Sequence, residues 1–187
     1  MKKRWIIVLT VVLLAAGLTA FAEEGEVHNL SVGIHPFGPL WGSYKIDVGL
    51  PVTGLIEVGG QVNYFSFKQL ANMWNITSSD FPDILNLGGI VRIFPSQEAS
   101  GFFIGGRVMY LNVRPPASSG EDPISDVTAG IDLGWRFKWH FDGGWGMFFQ
   151  TYFGIQRWLL QGGDMESTIG IALPIWPTAA MHFGVHF

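Results

Sequence analysis

Between Val127 and Phe141 the chain alternates without a break. Val127, Ala129, Ile131, Leu133, Trp135, Phe137, Trp139 and Phe141 fall on one parity, and Thr128, Gly130, Asp132, Gly134, Arg136, Lys138 and His140 on the other. A helix, repeating every ~3.6 residues, would scatter both sets around its surface, whereas a strand sends successive side chains to opposite sides. The segment therefore reads as a strand with one wholly apolar face and one carrying charge and glycine. Any fold it joins must give those two faces different surroundings.

The same period marks seven further segments, so that the expected strands lie near 29–37, 43–50, 55–67, 84–94, 101–114, 126–141, 145–158 and 178–187. Their connections follow a rhythm. Residues 51–54, 96–100 and 142–144 make tight turns after the second, fourth and sixth strands, and residues 68–83, 115–125 and 159–177 make longer loops after the third, fifth and seventh. Short turns at one end and long loops at the other predict an all-β fold, an eight-stranded antiparallel up-and-down transmembrane β-barrel. An even strand count leaves both termini at the tight-turn, periplasmic end.

The N-terminus predicts export. Lys2, Lys3 and Arg4 precede an apolar run over 5–18, and Ala20-Phe21-Ala22 has the small-x-small pattern of a signal-peptidase site. Residues 1–22 read as a cleaved signal peptide and residues 23–187 as the barrel domain. Cleavage removes three of the eleven Lys+Arg and none of the fifteen Asp+Glu, leaving eight against fifteen and a formal charge of −7. That acidic balance argues against nucleic acid as a partner. There is no cysteine, hence no disulfide. After residue 22 no stretch approaches the ~18 apolar residues of a spanning helix. Yet 48% of the chain is hydrophobic, which an exported protein without a spanning helix must accommodate in its strands.

A soluble eight-stranded barrel also alternates, with its apolar face inward. The polar parity separates the two cases. It carries Lys45, Asp47, Glu57, Arg92, Arg107, Asp132, Arg136 and Lys138 interspersed with glycine. Glycine weakens a water-exposed strand but suits the crowded axis of a narrow barrel. The apolar parity is uncharged except for Arg114 and Arg157 at loop-side strand ends, where a lipid-facing cation costs only about 0–1 kcal/mol. Apolar side chains are thus expected outward, against outer-membrane lipid. Tyr44, Tyr64 and Tyr110 fall outward near the loop end, and Trp139, Phe141, Trp145 and Phe187 near the turn end, as two aromatic girdles would.

The final segment ends with Met181, Phe183, Val185 and Phe187 on the outward parity. This pattern resembles the C-terminal signature by which the barrel-assembly machinery recognises its clients. With a signal peptide and eight strands, residues 29–187 resemble small outer-membrane barrels of the OmpA/OmpX type, barrel domain only. The resemblance implies a monomeric integral outer-membrane protein, assembled by that machinery, with a structural or surface-interaction role.

Three chemical readings remain open beside that one. The inward charges could line a narrow path for ions or small solutes, although an eight-stranded interior is only wide enough for side chains to fill it. His182 and His186 share the inward parity of the last strand and His35 that of the first, so His35 and His182 could meet. No inward carboxylate or cysteine is evident beside them, and neither metal nor other cofactor is expected. Some barrels of this size modify outer-membrane lipid. The deacylases among them carry a His-x-Ser-Asn motif, which none of His28, His35, His140, His182 and His186 begins, and Ser43, Ser66 and Ser167 have no evident histidine partner. No catalytic residue is therefore assigned. Met73, Trp74, Phe81 and Pro82 in one loop and Leu159, Leu160, Ile175 and Trp176 in another are expected to cap the barrel mouth, though they leave room for an unidentified extracellular partner.

Overall fold

The computed structural model describes residues 30–73, 81–96, 98–116, 118–159 and 175–187. The expected signal segment, His28, Ser167 and most of the last long loop lie outside them. Eight antiparallel strands close into one barrel: β1 (Ser31–Ile34), β2 (Ser43–Pro51), β3 (Ile56–Ser66), β4 (Asp83–Ile93), β5 (Gly101–Arg114), β6 (Ile124–His140), β7 (Gly146–Trp158) and β8 (Ile175–His186). Each strand pairs with its neighbours in sequence. β1 and β8 close the ring, with Ser31 opposite His186 and Ile34 opposite Phe183. Leu30 accepts a hydrogen bond from the Phe187 backbone N–H at 3.0 Å, so both ends of the barrel chain lie beside the tight turns.

The turns follow their residues. In the β2–β3 turn the Thr53 hydroxyl accepts the backbone N–H groups of Leu55 and Ile56, at 3.2 and 3.0 Å. In the β6–β7 turn Gly143 and Gly144 adopt φ of +102° and +81°, a region closed to most side chains.

Three boundaries depart from the sequence expectation. β1 stops at Ile34 rather than 37, because Pro36 has no N–H for the ladder and Phe37 turns into a 3-10 turn, Gly38–Trp41. β8 begins at Ile175 rather than 178 and includes Pro177. β1 has already ended opposite Phe183, so no β1 partner is lost to that proline. The loop expected over 68–83 begins as a short helix, α1 (Phe67–Met73). Among the described residues no helix is long and apolar enough to cross a membrane, which says nothing about strands.

The strand parities fall as the alternation requires. On β6, Asp132 and Arg136 are 5% and 1% exposed, whereas Ile131 and Leu133 are 60% and 52% exposed. Along this strand charge lies inside the barrel and large apolar side chains outside it.

Candidate functional site

The interior is the candidate site, and register decides which side chains meet there. Asp47, Gln61 and Gly88 lie opposite one another across β2–β3–β4, as do Arg92, Gly105, Asp132 and Gly154 across β4–β5–β6–β7. Glycine between long polar side chains leaves them room to reach across the lumen.

At its centre Glu57 holds two arginines. Arg92 donates to Glu57 Oε1 at 2.6 Å and also to Asp47 Oδ2; Arg136 donates to Glu57 Oε1 at 2.8 Å through Nη2 and to Oε2 through Nη1. Arg136 Nε further donates to Gln150 Oε1 at 2.8 Å, and Gln61 donates to Asp47 at 3.3 Å. Glu57 and Arg136 are each 1% exposed. Buried ions of this kind persist only when partnered, and here two carboxylates face two guanidiniums. A second group joins Arg107 to Asp132 and, at 2.6 Å, to the Thr178 hydroxyl. Lys45 donates to the Tyr152 hydroxyl and sits 4.8 Å from the centre of its ring.

Some of these links run along the wall between neighbouring strands, such as Arg92–Glu57 and Arg107–Asp132, and three cross the barrel. Arg136 of β6 reaches Glu57 of β3, Lys45 of β2 reaches Tyr152 of β7, and Arg107 of β5 reaches Thr178 of β8. Each spans strands that are not neighbours, so the bonds tie opposing walls together through the middle of the lumen. Seven of the eight inward charges expected from the sequence take part. Lys138 does not: it makes no ion pair or hydrogen bond among the described residues.

The histidines differ from expectation in one respect. His35 and His182 do approach, with ring centroids 6.3 Å apart. A carboxylate does stand beside them, contrary to the sequence reading: Asp47 Oδ2 is 3.8 Å from His182 Nδ1. Judging Asp47 from its own strand missed it, because the contact is made across the closure of the barrel. That carboxylate is already committed to Arg92 and Gln61, and neither nitrogen of His182 makes a hydrogen bond among the described residues. Among the described residues no three His, Cys, Asp or Glu side chains are grouped to hold a metal ion. Ser43 is bonded to Asn63 and Ser66 to Asp83, at 3.1 and 2.9 Å.

The alternation did not disclose the apolar ends of the interior. At the loop end Ile84, Leu111 and Val113 are buried against Phe65, Phe67, Ile124 and Trp158. Toward the turn end Phe94, Phe103, Ala99, Tyr152 and Ala180 form another cluster. Arg136 lies 4.9 and 5.0 Å from the ring centres of Phe94 and Phe148, so an apolar layer also covers the central ions. The available signal was an inward aromatic beside a glycine. A Cβ at Gly33 would come within 2.9 Å of the Phe148 ring, and one at Gly184 would overlap it.

The outward residues singled out in the sequence also lie where expected. Tyr44, Tyr64 and Tyr110 are exposed toward the loop end, with Tyr110 donating to Ser125 at 2.7 Å. Trp139, Phe141 and Trp145 are exposed at the turn end, where Phe141 and Trp145 pack with ring centroids 4.8 Å apart. On β8, Met181 and Phe183 are exposed and Val185 is half-buried, and Phe187 just past its end is exposed, all on the outer side. Of the capping residues, Phe81 stacks on Phe67, which packs edge-on against Phe65.

Compared with known proteins, the chain matches no family model, no curated protein and no solved structure.

Proposed function

We propose that this chain is an integral β-barrel of a bacterial outer membrane, similar in build to small OmpA/OmpX-type barrels. In this reading it is monomeric and non-enzymatic, with tight turns and both termini periplasmic and long loops outside. Its role is structural or surface-interacting, and its interior is filled. One observation carries the reading: the outer face is apolar and the inner face is charged. Ile34, Val108, Ile131 and Phe153, on four different strands, are 54, 55, 60 and 61% exposed. A soluble monomer rarely exposes a contiguous apolar patch beyond a few hundred Å², whereas lipid requires such a surface. The cross-lumen links support a platform over a pore, because an ion would have to displace paired guanidiniums to pass.

The folded protein should migrate differently on a gel before and after boiling and should float with lipid vesicles. Identical migration, together with recovery in the aqueous fraction, would overturn the reading. Planar bilayers holding the protein should show no conductance steps. Membrane lipid from cells with and without it should have the same mass spectrum. Deleting Phe187 should lower the amount inserted in the outer membrane, and unchanged assembly would remove the C-terminal signature from the account.

A further inference from the structure

Lys138, His140 and His186 form a second polar cluster at the tight-turn mouth of the barrel. Lys138 and His140 share the inward face of β6. Gly146 of β7 lies opposite both His140 and His186. Having no side chain, Gly146 lets the two rings meet over it, with centroids 4.7 Å apart and planes at 66°. A Cβ there would overlap the His186 ring, so the glycine is a condition of the pairing.

The cluster has capacity the rest of the fold does not use. His186 is 1% exposed, and neither of its ring nitrogens has a well-formed hydrogen bond among the described residues. The Trp139 carbonyl beside it can engage one of the two at most. Lys138 stands outside every ion pair among the described residues. Its charged surroundings are Arg136, which Glu57 holds, and the carboxylates of Glu57 and Glu98, the latter on the exposed β4–β5 turn. Arg136 and Lys138 both face His186.

Charge decides what such a cluster can hold. A divalent cation would meet two guanidinium or ammonium charges, and among the described residues no third metal-ligating side chain is grouped with the histidines. An oxyanion would meet an ammonium with up to three N–H donors and an N–H from His140. With the Trp139 carbonyl holding one N–H of His186, that ring offers a second N–H in its doubly protonated form. We propose that the tight-turn mouth binds a phosphate-class oxyanion, held by Lys138 Nζ and the ring N–H groups of His140 and His186. The same chemistry is offered by free inorganic phosphate and by a phosphomonoester lipid headgroup. The inference rests on the barrel's geometry and is independent of the outer-membrane reading.

The test uses the full folded chain in neutral detergent micelles, with its histidines labelled with ¹⁵N. Inorganic phosphate is titrated against chloride at constant ionic strength, and a phosphatidic acid is added to the micelles in a parallel series. Saturable shifts of the His140 and His186 imidazole signals are expected with phosphate, with the lipid, or with both. Free phosphate acting alone identifies a soluble anion, and the lipid acting alone identifies a headgroup. Lys138→Met and the exposed His140→Gln should each weaken binding about tenfold, the effect of losing one charge-assisted contact. Lys45→Met removes a lysine elsewhere in the lumen and should leave binding unchanged. Shifts that fail to saturate, that chloride reproduces, or that survive Lys138→Met would overturn the proposal. So would Zn²⁺ occupying the histidine pair in a form that phosphate cannot displace.

Discussion

Asp132 and Leu133 are neighbours in sequence, yet one is 5% and the other 52% exposed. Asp132 points into a lumen where Arg107 meets it, and Leu133 points away from the barrel among other apolar side chains. In a water-soluble barrel the two residues would exchange places. The contrast recurs on β2 to β5, and it teaches that this interior is organised by partners and this exterior by solvent type. Inside, every charge except Lys138 depends on a particular partner, on the next strand or across the lumen. Outside, identity matters less than the absence of charge.

That difference predicts unequal costs for single substitutions. The largest effect should come from Glu57→Leu, which leaves Arg136 without a carboxylate and Arg92 with Asp47 alone. Removing one partner of a buried ion pair costs about 3–5 kcal/mol, read as a lower urea midpoint with an unchanged slope. A wild-type midpoint would mean that the two arginines find other partners. Next is Ile131→Lys on the outer face, which should cost about 2–4 kcal/mol in a bilayer. If the outer face meets water instead, the same change should stay within about 0.5 kcal/mol, so this variant separates the two environments directly. The smallest is Tyr110→Phe at the loop-side rim. It removes the exposed bond to Ser125 and should cost no more than about 0.5–1.5 kcal/mol. A larger loss would show that the rim is as partner-dependent as the lumen.

The sequence reveals the exterior more completely than the interior, for a physical reason. An outward face needs only the right class of side chain, so the run from Val127 to Phe141 displays it to simple alternation. The inward face is built from pairs distant in the chain. Alternation assigns Glu57 and Arg136 to the lumen, but only the closed register brings them together across 79 residues. The same blindness hid Asp47 beside His182 and the apolar layers of Phe65, Ile84, Phe94, Phe103 and Phe148, which share a parity with charged or polar residues. Phe148 lies between Gly33 and Gly184 on β1 and β8, and that packing becomes visible only when β1 is placed against β8. The early end of β1 was legible in Pro36, and the early start of β8 was not, because a proline is tolerated there only once β1 has ended.

The central claim is that the outer face of the barrel meets lipid. The chain contains no cysteine, so single cysteines can be introduced along β6 and spin-labelled without background. In a bilayer, labels at Ile131, Leu133 and Trp135 should collide freely with dissolved oxygen and rarely with a water-soluble nickel chelate. Frequent nickel collisions at those three positions, in folded protein, would contradict the account and place the apolar face in water.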